Sequence, residues 1–317
     1  MKNKILLGII LVLVFAIVIV NFCFAKKDSN NDKQMVLGVQ TFDVDKYDFS
    51  KKLSSIPKKS LDFYESDYIL AQNYILIDFE SGTILTQKDA HQQVSIASTT
   101  KIMTAIIALE NYDLEEQIVI KDRPMSSEES MIGLITDDSL NMKDLLSALL
   151  ISSANDAAYA LADHMGYDKF IQRMNDKAQY FGLDDTLFKD PAGFSDEGKS
   201  SASDMAYITK YALANDTFKD IIKTTQATIV SSNGLAYELK NSNRLIKNDE
   251  PLYYSPSIGG KTGFTYEAGH CLVSAATSNE HTLIAVVLHT DYDTNEASAE
   301  ESKKLLEWGF DNYTWDK

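Results

Sequence analysis

Ser98-Thr99-Thr100-Lys101 stands at the head of the apolar stretch Ile102-Met103-Thr104-Ala105, with a hydroxyl and an amine three residues apart where a helical pattern begins. Residues at that spacing share one helical face, so the two side chains meet. A serine hydroxyl is a weak nucleophile until a neighbour accepts its proton, and a lysine amine can do so only if its pKa falls from about 10.4 toward neutrality. Burial and a second cation both lower it. The rest of the chain must therefore supply an enclosure for Lys101 that leaves Ser98 open. A second copy, Ser55-Ile56-Pro57-Lys58, is set aside because Pro57 disfavours a helical conformation at Ile56.

At 317 residues, 44% hydrophobic and 24% charged, the chain can bury a sizeable core in one large domain or two small ones. Lys2 and Lys4 precede an uncharged run from Ile5 to Phe24, followed by Ala25, Lys26 and Lys27. Twenty helical residues span about 30 Å, one bilayer core. Cys23-Phe24-Ala25 also resembles a signal-peptide cleavage site, so residues 1–25 read as a membrane anchor or a signal peptide. The length of the run favours an uncleaved anchor with its lysines in the cytoplasm, and either reading exports the chain. The formal charge is −16, and the part beyond residue 25 carries −18 once the two lysines are removed. Such acidity excludes nucleic acid as a partner and requires a local cationic site for any anionic substrate. Only Cys271 lies outside the apolar run, so no internal disulfide can form, and it reads as a small buried apolar residue. None of the five histidines forms an i, i+4 pair on a credible helix, so neither a metal nor another cofactor is expected. His270 reads as a core or surface histidine, with a place facing the site as the alternative because it lies close to a motif described below.

Residues 26–67 are polar and irregular and read as a tether, with order beginning near Tyr68. Tyr74–Asp78 and Thr83–Thr86 flank Glu80-Ser81-Gly82 as a β-hairpin. Helical patterns follow: Ser98 to about Glu110, Met142–Leu150 with Asn141 as N-cap, Asp156–Met165, Asp168–Phe181, and one opened by Ser203-Asp204. Met125 to Asp138 reads as loop. Strand-like segments return at Ser257–Gly263, Cys271–Ala276 and Leu283–Leu288, before a terminal helix from Ala297 to about Phe310. Strands at both ends and helices between predict an α/β (α+β) fold. Its antiparallel sheet is built from both chain ends and flanked by helices, with an inserted helical subdomain.

Three elements stand in order: Ser98-x-x-Lys101, Ser153-Ala154-Asn155 and Lys261-Thr262-Gly263. Together with Ala97–Ala105, Ser153–Ala158, Gly260–Thr265, Ser200–Ala206, Leu239–Leu245 and Ala268–Leu272, they resemble the low-molecular-weight serine D-alanyl-D-alanine carboxypeptidases, a group of penicillin-binding proteins. The resemblance covers about Ala71 to Asn312 and implies a β-lactamase/DD-peptidase-like fold over residues 68–317. It implies that Ser98 attacks the penultimate D-alanine carbonyl of peptidoglycan stem peptides while Lys101 takes its proton. The N–H groups of Ser98 and Phe264 then form an oxyanion hole, and Ser153 relays a proton to the leaving amine. Asn155 would hold Lys101 or the substrate amide, and Lys261 would meet the terminal carboxylate and help depress the Lys101 pKa. Thr262 would bond the same carboxylate, and Gly263 would leave the strand edge clear for an extended peptide. The resemblance further implies β-lactams as inhibitors, a role in bacterial cell-wall biogenesis and cell shape, and extracytoplasmic action.

The sequence departs from the family pattern at Ala154, where glycine is usual, at Ile96, and in ending just after the terminal helix, where many relatives continue into a β-rich domain. That ending supports an anchor at the N-terminus. A class A β-lactamase shares the three motifs but adds a glutamate for deacylation. No matching Glu-x-x-Leu-Asn lies between Asn155 and Lys261, and Glu238 reads as an exposed strand residue. A non-catalytic β-lactam-sensing or wall-binding domain could keep the same serine, but the partner region that signalling requires is missing from the sequence.

Overall fold

The computed structural model describes residues 56–66, 68–290 and 294–316. The chain divides into residues 1–38, which lie outside the described residues, and residues 39–317, to which everything below refers. The elements begin with β1 (Lys58–Lys59), β2 (Asn73–Asp78), β3 (Ile84–Lys88), a 3-10 turn at Ala97–Thr100, and α1 (Lys101–Asn111). The middle holds β4 (Gln117–Val119), β5 (Ser139–Asn141), α2 (Met142–Ile151), α3 (Asn155–Met165), α4 (Tyr167–Tyr180), α5 (Ala202–Ala212) and α6 (Asp216–Ile222). There follow β6 (Gln226–Val230), β7 (Ala236–Lys240), β8 (Ser257–Thr265), β9 (Gly269–Ser278), β10 (His281–Thr290), α7 (Ala297–Asn312) and β11 (Tyr313–Thr314).

Alternation along the strands decides the layering. Every residue of β2 is buried, with Tyr74 and Leu76 in one core and Ile75 and Ile77 in another. β10 divides in the same way, Leu283, Ala285 and Val287 against Ile284, Val286 and Leu288. Strands apolar on both sides need a layer on each face. One face receives α7 through Leu305, Leu306 and Trp308, and the other receives the helical subdomain, with α5 lying against β2 and β10. The sheet runs β3-β2-β10-β9-β8, antiparallel throughout, so the first hairpin and the last three long strands close together as the sequence implied. β8 ends up at an edge. One side of its backbone is left without a strand neighbour.

Local signals account for the helices. Asn141 caps α2 by accepting the Asp144 N–H at 2.7 Å, and Leu145, Leu146, Leu149 and Leu150 are buried behind that cap. The loop between β4 and β5 is irregular as expected, but it is pinned from a distance. The Asp156 carboxylate accepts the N–H groups of Ile132, Gly133 and Leu134 at 3.2, 2.9 and 3.0 Å. The small hairpins β4-β5 and β6-β7 and the helix α6 have short, mixed patterns that periodicity does not reveal. The β6-β7 hairpin is nonetheless tied to the centre of the molecule, because Lys240 N–H donates to Ser152 Oγ at 3.0 Å.

The folded part begins earlier than Tyr68. β1 pairs with β11, Lys58 opposite Thr314 and Lys59 opposite Tyr313, and Trp308 Nε1 donates to the Tyr64 carbonyl at 2.9 Å. Ser66 is buried and shares a 2.7 Å hydrogen bond with Thr86 Oγ1. Residues 56–66 therefore belong to the folded unit and not to the tether drawn over residues 26–67, because their partners lie some 240 residues away on the terminal helix. Lys58, of the second Ser-x-x-Lys, sits in a strand and pairs with Asp316 at 2.6 Å. The expected anchor at residues 1–25 and most of the tether lie outside the described residues. Among the described residues, no helix is long and apolar enough to cross a membrane. Trp308 is 1% exposed and joins the α7 layer to the early segment, so Trp308→Ala is expected to cost about 3–5 kcal/mol in urea-induced unfolding.

Candidate active site

Ser98, the expected nucleophile, sits on a strained turn. Ser98 lies in the 3-10 segment before α1 and not on a continuous α-helix, and Ala97 adopts φ 46°. A non-glycine residue in that region persists only when its surroundings over-determine it. Gly193, at φ 71°, provides the close contact: a Cβ there would lie 1.9 Å from the Ala97 carbonyl oxygen and 2.6 Å from Thr100 Oγ1. The Gly193 loop is wound about Asp190, whose carboxylate accepts N–H groups from Ala192, Gly193, Phe194 and Ser195 at 2.7, 2.6, 3.2 and 2.8 Å. Four donors on one buried carboxylate fix the loop that faces the serine.

Lys101 is completely buried. Its Nζ lies 2.7 Å from Ser98 Oγ, 2.6 Å from Asn155 Oδ1 and 2.8 Å from the Ala192 carbonyl. Burial pulls the amine down to about pKa 7, against the opposing pull of Asp190, Glu129 and Asp156. A neutral amine has two N–H bonds and one lone pair. Asn155 Oδ1 and the Ala192 carbonyl can only accept, so they take the two hydrogens and the lone pair faces the Ser98 hydroxyl. The enclosure that the sequence demanded is thus a base already aimed at its proton.

The second and third motifs meet across the same space. Lys261 is 1% exposed and donates to Ser153 Oγ at 2.9 Å and to the Thr262 carbonyl at 2.8 Å. Burial first and Lys101 second hold its pKa well below the ordinary lysine value. The repulsion between the two buried amines is mutual, so each opposes protonation of the other, and burial is the largest cause of the depression of both. Ser153 sits at φ 57°, a second strained position, while Ala154 is extended at φ −64°, ψ 118° and has no need of glycine. Thr262 Oγ1 pairs with Ser242 Oγ. At Gly263 a Cβ would approach Ile96 O at 3.0 Å and the Ser98 and Thr99 nitrogens at 3.1 Å. Its missing side chain lets β8 close on the serine turn. Phe264 is half-exposed, with its ring stacked on His270 at 4.4 Å between centroids.

These groups line an open cleft of about 720 Å³ that includes Ser98, Ser153, Asn155, Thr262, Gly263 and Phe264. His270 also lines it, as in the alternative reading and not the preferred one of a core or surface residue; its register opposite Phe264 on β9 brings it there. Cys271 is buried as expected, with its thiol pushed up to about 12 by burial. Glu238 is an exposed strand residue, bonded to Thr228 Oγ1 at 2.9 Å. Sequence reasoning missed Glu129, on the β4–β5 loop, which accepts Asn155 Nδ2 and the Tyr159 hydroxyl, both at 2.9 Å. No motif marks it. The Asp156 contacts that hold its loop exist only in three dimensions.

A five-stranded antiparallel sheet, a helical subdomain and a lysine-paired serine between them define the class of penicillin-recognising serine enzymes. A family model described as D-alanyl-D-alanine carboxypeptidase matches residues 62–292, and the chain belongs to that family. D-alanyl-D-alanine carboxypeptidase DacF of Bacillus subtilis is 32% identical over 252 residues, covering 77% of this chain and 63% of that protein. DacB2 of Mycobacterium tuberculosis is also 32% identical, covering 76% of this chain and 82% of its own. The crystal structure of the Streptomyces K15 DD-transpeptidase superposes with a TM-score of 0.71 at 33% identity, over 77% of this chain and 98% of that one.

Lys101 provides a direct check on the site. In protein carrying 13C-labelled lysine, its side-chain signal should titrate with a midpoint near 7, well below the ordinary lysine value. Asp190→Asn removes the strongest of the opposing carboxylates, so the midpoint should move lower still. A midpoint near the ordinary lysine value would show an amine exposed to water.

Proposed function

We propose that this protein is a serine-type D-Ala-D-Ala carboxypeptidase that removes the terminal D-alanine of peptidoglycan stem pentapeptides through an acyl-enzyme on Ser98. The observation that carries the reading is the Ser98–Lys101 pair: a buried amine near pKa 7, 2.7 Å from an accessible hydroxyl, beside an unpaired strand edge. As the Ser98 O–H bond breaks, its proton passes to Lys101 Nζ and Oγ bonds to the carbonyl carbon of the penultimate D-alanine. The N–H groups of Ser98 and Phe264 receive the developing oxyanion. The leaving amine takes a proton through Ser153, which Lys261 holds at 2.9 Å, and the C–N bond breaks. Water then hydrolyses the ester and restores Ser98.

The substrate's terminal carboxylate suits Lys261 and Thr262. An anion entering beside Lys261 compensates for the burial that depresses the ammonium, so carboxylate binding and protonation of Lys261 favour each other. In a chain of net charge −16, Lys261 is a local cation of the kind that an anionic substrate needs. Asn155 holds Lys101 through its Oδ1 and gives one of its two Nδ2 hydrogens to Glu129. β-Lactams acylate the same serine, and their leaving amine stays tethered where water must approach, so the adduct persists. The enzyme acts outside the cytoplasm, held to the membrane by residues 1–25.

Wild-type protein should release D-alanine from diacetyl-Lys-D-Ala-D-Ala and carry one benzylpenicillin adduct, mapped to Ser98, and Ser98→Ala should lose both. Rapid penicillin turnover without D-alanine release would assign a β-lactamase, and a stable adduct without peptide turnover would assign a sensor. Lys261→Ala should lower kcat/KM for the peptide roughly ten- to hundredfold, corresponding to a charge-assisted contact of about 1.5–3 kcal/mol. Full-length protein should sediment with membranes with its N-terminal residues intact, and a mature N-terminus at Lys26 would assign a cleaved signal instead.

A further inference from the structure

Glu129 is the charged group of the cleft wall that reaches the nucleophile through other side chains. Its Oε2 accepts Asn155 Nδ2 and the Tyr159 hydroxyl, each at 2.9 Å, and its Oε1 accepts the Ser126 N–H at 3.0 Å. Asn155 is 3% exposed and turns its Oδ1 to Lys101 at 2.6 Å, and Lys101 meets Ser98 at 2.7 Å. The contacts run unbroken from Glu129 through Asn155 and Lys101 to Ser98.

A primary amide has nearly the same shape in its two flipped orientations, so packing alone does not choose between them. What chooses here is an acceptor facing Nδ2. Were Asn155 turned over, its Nδ2 would donate into the Lys101 lone pair, the one feature of the amine that Ser98 requires. Three carboxylates face Lys101, and Lys261 is the nearby cation. Asp190 is saturated by four backbone N–H groups, and Asp156 holds the N–H groups of the β4–β5 loop and of Ala157. Glu129 is bound to the site's own amide.

We propose that Glu129 is a positioning residue for acylation: it locks the Asn155 amide with its oxygen toward Lys101, reserving the lysine lone pair for Ser98, and its charge stabilises the ammonium formed when the Ser98 proton transfers. The inference rests on the acyl-enzyme reading above. Two consequences separate its parts. Loss of the acceptor frees the amide and lowers the rate at every pH. Loss of the charge removes a group that favours the ammonium, so Lys101 stays neutral to lower pH and the acid limb of the rate profile moves down. A merely structural carboxylate would not move that limb.

The test is the second-order rate of Ser98 acylation by benzylpenicillin in the full-length protein, from about pH 5.5 to 9, for wild type, Glu129→Gln and Glu129→Ala. Glu129→Ala should lower the alkaline plateau at least about tenfold. Glu129→Gln, whose amide oxygen can still accept from Asn155, should recover the larger part of that loss. Both should shift the acid limb downward by about half a pH unit to one unit, seen as roughly three- to tenfold faster acylation near pH 5.5 relative to each variant's own plateau. A wild-type plateau and limb in Glu129→Ala, or an unmoved limb in Glu129→Gln, overturns the inference. Should Glu129→Ala fail to fold, the limb of Glu129→Gln decides by itself. Absence of acylation in the wild type would strike the proposed function itself, whereas insensitivity of the Glu129 variants with the wild type active would strike only this role.

Discussion

The interaction on which the rest depends is the burial of Lys101 with three hydrogen-bond partners around one nitrogen. An amine with no water must satisfy its hydrogens from fixed groups, and two of its neighbours here can do nothing but accept. That leaves Ser98 as the partner of the lone pair. Desolvation disfavours the ammonium, and three carboxylates restrain the shift so that the amine rests near neutrality. A base poised at that value combines the right protonation state with useful proton affinity at ordinary pH.

Holding this arrangement requires loops as rigid as the helices, and carboxylates supply the rigidity. Asp190 gathers four N–H groups so that Ala192 reaches Lys101 and Gly193 presses on Ala97. Asp156 does the same for the loop that carries Glu129. The positive φ values at Ala97 and Ser153 fall on either side of the cleft, where the hydroxyls of the first and second motifs must point inward. Strain of that kind is sustained by contacts made elsewhere, which is why it sits between the two organised loops and the edge strand.

The edge strand supplies the remaining geometry. β8 carries Lys261, Thr262, Gly263 and Phe264 in sequence, and its side away from β9 has no strand neighbour. Because Gly263 lacks a Cβ, this edge can lie directly against the Ser98 turn. A peptide laid along it would meet a cation, two hydroxyls and the nucleophile within a few residues of strand. Ser153, reached from α2 and α3, closes the far side through its bond to Lys261.

Much of this was legible in the sequence. The hairpin at Asn73–Lys88, the cap at Asn141, the paired strands near the C-terminus and the order of the three motifs are local signals, set by side-chain alternation, capping chemistry and spacing. They pointed to the fold class and to the Ser98–Lys101 pair, and the family resemblance that the three motifs carry implied Ser153, Asn155, Lys261, Thr262, Gly263 and Phe264. Tertiary structure alone decided what those residues touch. It showed residues 56–66 packed on α7, Gly263 yielding space to the serine turn, and His270 brought to the cleft by strand register. It also brought Glu129 to Asn155 across 26 residues of chain. The reason is physical: alternation and capping act between neighbours in sequence, whereas burial, pKa and the orientation of an amide depend on groups that only the folded chain brings together.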